Sequence, residues 1–175
     1  MRGEHLPEPW LRGTLTEVSP VIRAVLHALE LAEEDVVRWC EQLTDAEVNA
    51  RRSGLAAFAF QVRHIAGSLD RLLTYAEGSH LSEEQMRVLR SLEHEPVSSR
   101  EELLSLFAEA IRNSKQRVRN LEARDLGEPR YVGQQRIPTT LGGLLVHVAD
   151  HTQRHVGEAI VTAKVLLNGR GTDST

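Results

Sequence analysis

Apolar residues recur three and four positions apart in four long stretches of the chain, the spacing that gathers them on one face of an α-helix. The first stretch covers residues 21–43 and carries Val21, Leu26, Leu29, Val36, Val37 and Trp39. Ser19-Pro20 precedes it, suited to an N-cap followed by proline at the first helical position. Thr44-Asp45-Ala46-Glu47 has the form of a capping box and opens a short turn of helix before Ser53-Gly54 interrupts. The second stretch carries Phe58, Val62, Ile65, Leu69, Leu72 and Ala76, with Gly78 placed to close it. Residues 79–98 make a longer connection, in which Ser82-Glu83-Glu84-Gln85 offers a capping box for a short helix and Pro96 breaks the pattern. The third stretch starts at Ser98-Ser99-Arg100-Glu101, runs to about Arg124, and presents Leu103, Leu104, Phe107, Ile111, Val118 and Leu121. Residues 126–138, with Gly127, Gly133 and two prolines, are expected to be irregular. The last helix begins near Pro138-Thr139-Thr140 and carries Leu141, Leu144, Leu145, Val148, Thr152, Val156, Ala159, Ile160, Ala163 and Leu166. Gly169 ends it, and residues 170–175 have the composition of a frayed tail.

No strand-like alternation of useful length, internal repeat or low-complexity tract interrupts this pattern. The fold class it predicts is all-α: a four-helix bundle with long crossover connections, in preference to simple up-down-up-down topology. A length of 175 residues predicts a single domain over residues 1–175, with the bundle core at about 19–167.

Composition narrows the function. The chain is 41% hydrophobic and 26% charged, ordinary values for a soluble globular protein. A net charge of −4 gives no support for a nucleic-acid partner. Cys40 is the only cysteine, which rules out an intrachain disulfide and any cysteine-rich zinc site and fits a reducing compartment. No apolar run approaches the roughly 18 residues of a membrane span, and MRGEHLPEPW lacks the apolar region of a secretory signal. The expectation is a cytoplasmic protein without a membrane or nucleic-acid partner.

The chemistry lies in the histidines. His147, His151 and His155 stand one helical turn apart in LLVHVADHTQRHVGEA. Residues four apart on a helix have Cβ atoms about 5–6 Å apart, close enough for two imidazoles to reach one ion. His64, in AFQVRHIAGSLDRLL, lies beside the apolar stripe of the second helix and supplies a third ligand from elsewhere in the chain. A neutral imidazole at the edge of a core needs partners for both nitrogens; a metal satisfies one, and a carbonyl or carboxylate the other. Spacing alone leaves open whether 147/151 or 151/155 is the chelating pair. A lone histidine at such an edge is more often structural; three at four-residue spacing shift the balance toward a ligand set.

Other residues carry weaker signals. His27 suits a core or second-layer position, and His5, His80 and His94 fall in terminal or loop segments. Asp150 and Arg154 have the spacing of a surface ion pair. Cys40 suits a small apolar filler, and Trp10 and Trp39 suit packing. The chain has no H-E-x-x-H, P-loop, dinucleotide fingerprint or nucleophile elbow, and its one Glu-x-x-His, Glu77 to His80, sits at a helix end.

HIAGSLDRLLTYAEG followed much later by HVADHTQRHVGEA resembles the DinB-like superfamily, which includes bacillithiol S-transferase-like proteins and the metal-binding domain of mycothiol-dependent enzymes. The resemblance spans about Ser19 to Leu167. It implies a four-helix bundle with long crossovers, frequent homodimers and a divalent-metal site. His64 matches the metal histidine of the second helix, and His151 and His155 match the His-x-x-x-His of the last. The resemblance thus selects 151/155 and makes His147 a neighbour of the site. Three positions depart from the family pattern. Asp150 stands where asparagine usually precedes the first histidine, and Val156-Gly157-Glu158 replaces the usual Arg-Gly-Gln. These changes leave the ligands in place but alter the surrounding pocket.

The expected function is therefore that of a divalent-metal-binding DinB-like protein, with zinc or nickel on His64, His151 and His155 and a small-molecule substrate. One reading is a metal-dependent transferase acting with a low-molecular-weight thiol. The alternatives are a metal-dependent hydrolase, with Asp150 or Glu158 as base, and a non-catalytic bundle whose metal is structural or absent.

Overall fold

The computed structural model describes residues 6–91, 96–97 and 99–170. Among these residues there are five helices and a small hairpin, with one short turn at Pro9–Leu11 before α1 and another at Glu47–Asn49 between α1 and α2: α1 is Pro20–Cys40, α2 Phe58–Ala76, α3 Glu83–Ser91, α4 Arg100–Asn120, β1 Pro129–Val132, β2 Ile137–Thr140 and α5 Leu141–Gly169. The four long helices lie where the apolar periodicity places them, and their boundaries follow local chemistry. Pro20 is the first residue of α1. Thr44 and Glu47 form the expected reciprocal cap: the Thr44 amide donates to Glu47 Oε2 at 2.8 Å, and the Glu47 amide donates to Thr44 Oγ1 at 3.2 Å. Ser82 and Gln85 do the same ahead of α3, at 3.1 and 2.9 Å. Ser99 Oγ caps α4 by accepting from the Glu102 amide, and Thr140 Oγ1 caps α5 by accepting from the Gly143 amide. Ser98 lies outside the described residues.

Each long helix packs against two others: α1 and α2 each touch both α4 and α5. α1 therefore lies diagonally across from α2, and α4 from α5. Contacts between particular residues give the directions. Thr162 reaches Ala56 while Gln61 reaches Glu158, so α2 and α5 run antiparallel. Lys115 pairs with Glu33 and Glu122 accepts from Ser19, so α1 and α4 also run antiparallel. Gln153 bonds Ala28 and Arg170 bonds Gln42, so α1 and α5 are parallel. The order is up, down, down, up, and the connection through α3 returns the chain along the bundle between two parallel helices. The core is continuous through all four, with Ile22, Leu29, Phe58, Ile65, Leu69, Phe107, Ile111, Leu141 and Leu145 sealed from solvent.

The hairpin corrects the expectation of an irregular segment over 126–138. Its strands pair antiparallel, Pro129 opposite Thr140 and Val132 opposite Ile137. Gly133, at φ +70°, makes the turn in a region that side chains rarely enter. The single buried position of β1 is Arg130, not an apolar residue. Its guanidinium reaches Ala76 O at 2.6 Å, Pro129 O at 2.9 Å and Glu128 at 3.0 Å, which locks the hairpin onto the end of α2. Trp10 is a second correction: it is 62% exposed and donates to Glu8, and is not a packing residue. Trp39 does pack against the core, with the Lys164 ammonium over its ring. Cys40 is sealed in the core, and burial pushes its thiol up to about 11. Arg170, at the start of the expected tail, is tied back to Glu47; residues 171–175 lie outside the described residues. No described helix is long and apolar enough to cross a membrane.

Candidate metal centre

The seam between α2 and α5 brings together residues 87 positions apart. His64 leaves α2 on the flank of its apolar stripe, while His151 and His155 leave α5 one turn apart on the facing flank. Ile65, Leu69, Val148 and Val156 pack beneath them and fix the two helices against each other. Each imidazole is part-buried, and one nitrogen from each of the three lies within 4.8 Å of the others.

The spacing suits a cation. His64 Nε2 and His151 Nε2 are 3.2 Å apart. A tetrahedral zinc ion bound at about 2.0–2.1 Å by each imidazole holds its nitrogens roughly 3.3 Å apart. The His155 ring stands 4.4 Å from that of His64 and 4.5 Å from that of His151, centroid to centroid. His155 Nδ1 meets Gln61 Oε1 at 2.8 Å and Glu158 Oε2 at 3.2 Å, so the proton belongs on Nδ1 and Nε2 carries the lone pair. The same Gln61 donates its amide to Glu158 Oε2 at 2.7 Å, closing a ring of three side chains. His151 also carries a neutral ring: burial first, then the neighbouring His155, His64 and His147, lower its pKa to about 4. A part-buried, three-imidazole cluster with an outer carboxylate fits a divalent ion.

The structure brings together the three histidines matched by family resemblance and, among the described residues, leaves the other histidines outside the cluster. His147 is exposed; its ring stands 5.5 Å from that of His151 and its Nδ1 is 3.9 Å from Asp150. It borders the cluster without joining it. His27 is buried in α1, with Thr14 Oγ1 3.2 Å from its Nε2. His80 is exposed in the connection after α2, and His5 and His94 lie outside the described residues. Asp150 forms the expected surface pair with Arg154, at 2.6 Å.

Sequence reasoning missed three residues on α2. Gln61, 5% exposed, orients His155. Ser68, 1% exposed, places its hydroxyl 3.4 Å from His64 Nε2. Arg71 donates to that hydroxyl at 2.8 Å. The signal was present: Gln61, His64, Ser68 and Arg71 follow one another at spacings of three and four, a polar stripe beside the apolar one. Arg71 also borders a groove of about 660 Å³ between α2, α3 and α4, whose floor includes Ala66, Gly67, Leu106 and Ala110.

Loss of the outer hydrogen bonds is expected to weaken the centre without destroying it. Gln61→Leu should lower zinc affinity about tenfold, because Glu158 still accepts from His155. The double variant Gln61→Leu, Glu158→Ala should approach about 100-fold, the upper end for outer partners of metal-bound histidines. Competition with a chromophoric chelator measures both.

A family model described as the DinB superfamily matches residues 28–159. No curated protein matches the chain.

Proposed function

The chain belongs to the DinB superfamily, and from that premise we propose that it is a metal-dependent transferase that joins a low-molecular-weight thiol to an electrophilic small molecule. The observation that carries this reading is the ligand set: three part-buried imidazoles, with no protein carboxylate or thiol among them. Such a set leaves a coordination position for an outside ligand, as catalytic zinc sites do. A divalent ion there would supply Lewis acidity, which lets a thiol shed its proton near neutral pH. The thiolate sulfur then forms the new S–C bond, and the electrophile's leaving group departs with the bonding pair.

The protein's own residues support that chemistry. Gln61 and Glu158 hold His155 with its Nε2 toward the cluster. Cys40, sealed in the core, does not compete as a nucleophile. Hydrolysis is less well served. Asp150 is engaged by Arg154, and Glu158 is engaged by Gln61 and His155, so neither is presented as a base toward the cluster.

The test is spectroscopic. Cobalt(II) loaded at one equivalent should give a tetrahedral d–d spectrum, and 2-mercaptoethanol should add a sulfur-to-cobalt charge-transfer band. A loaded protein that shows no such band with any of several cellular thiols overturns the thiol reading.

A further inference from the structure

The Ser68 hydroxyl is buried, and its position beside the cluster is enforced from both sides. Arg71 donates to its oxygen at 2.8 Å, and the oxygen stands 3.4 Å from His64 Nε2. With the guanidinium occupying an acceptor position on Oγ, the hydroxyl proton is turned toward the cluster. Helical serines commonly send that proton to the carbonyl four residues back. Thr74 does so on this same helix, donating to Asp70 O at 2.8 Å. Among the described residues Ser68 makes no such bond; its polar contacts are the imidazole and the guanidinium.

His64 Nε2 is also the atom that faces His151 Nε2. An ion on the cluster takes the lone pair of His64 Nε2, whichever ring carries the proton in the metal-free protein. The Ser68 proton then loses that acceptor in a place closed to bulk water. A buried donor left without an acceptor is costly. An outside ligand on an ion held by the three histidines would offer that proton a new acceptor, in competition with the helix carbonyl four residues back.

We infer that Ser68, positioned and polarised by Arg71, is the hydrogen-bond donor to a small anion held on the metal of the His64–His151–His155 cluster. The pair forms an anion pocket: Ser68 touches the ligand and Arg71 acts through Ser68, adding positive charge two hydrogen bonds from the cluster. The inference rests on metal at the three histidines and is independent of the thiol chemistry proposed above.

The probe is azide, an anion that does not depend on sulfur chemistry, titrated into the cobalt(II)-loaded full chain and followed by the change in d–d absorption. Ser68→Ala should weaken azide binding about 10- to 100-fold, the usual worth of a hydrogen bond to a charged group, while cobalt affinity stays the same or rises. Ser68→Thr keeps the hydroxyl and should bind azide as wild type does. Arg71→Met should lose part of the azide affinity, and Arg71→Lys should recover most of it. Wild-type azide affinity in Ser68→Ala overturns the inference. So does a loss of cobalt affinity in Ser68→Ala as large as that of His64→Ala, because Ser68 would then be serving the metal ligand and not the anion. A thiol charge-transfer band that is absent while azide still responds to Ser68 removes the thiol reading and leaves this one standing.

Discussion

Replacing His151 by alanine is expected to lower zinc affinity by more than about 100-fold, beyond the range reached by removing outer hydrogen-bond partners. The same change at His147 should leave affinity close to wild type. The two residues sit one turn apart on α5 and differ in what they meet. His151 Nε2 lies 3.2 Å from His64 Nε2 in a part-buried cluster, whereas His147 is exposed and nearest to Asp150. His151 also carries the lowered pKa, so it offers a free lone pair over the whole neutral range without competition from protons. Competition titrations with a chromophoric chelator at pH 7.5 check both variants. Equal losses at the two positions would show that the chelating pair is 147/151 and not 151/155.

Phe107→Ala is expected to cost about 3–5 kcal/mol, the range for deleting a buried aromatic ring. Phe107 is 1% exposed in the middle of α4, the helix that packs against both α1 and α2. The loss is a large part of the roughly 5–15 kcal/mol by which a domain of this kind is stable. Urea unfolding of the metal-free protein measures it as a fall in midpoint at constant slope. Phe107 belongs to the core and the histidines to the α2–α5 seam, so zinc should recover much of the loss. An ion at about 1,000 times its dissociation constant adds about 4 kcal/mol to a fold that binds it only when native. A variant whose midpoint does not move with zinc would show that the ion does not bridge the two helices.

The helices were legible because each buries one stripe, and a stripe at helical spacing is visible in a single sequence. The hairpin was not. Its strands are four residues each, and the one buried position is Arg130, so no apolar alternation marks them. What holds the hairpin is a guanidinium reaching backbone oxygens 54 residues away and next door, a tertiary contact that leaves no periodic trace. Trp10 failed for a related reason. Its size suggests burial, but it follows two prolines and ends up exposed, bonded to Glu8. At the site, spacing alone found the histidines of α5 and could not choose between two pairs. Family resemblance chose, and the geometry places His64, His151 and His155 together. Gln61 and Ser68 escaped notice because amides and hydroxyls on a helix are common. Only the facing helix turns one into a partner of His155 and brings the other to the edge of the cluster.

The transferase chemistry proposed above would expose the chain to electrophiles, with the hazard of alkylating its own thiol. Here the one sulfhydryl of the chain is locked at the end of α1, fully covered, and stays protonated through the physiological range. Iodoacetamide or maleimide reagents should therefore find nothing to label until the bundle opens, so the rate of labelling becomes a clock for global unfolding. Protection of this thiol is in this sense a by-product of packing, secured by the same apolar cover that closes the first helix.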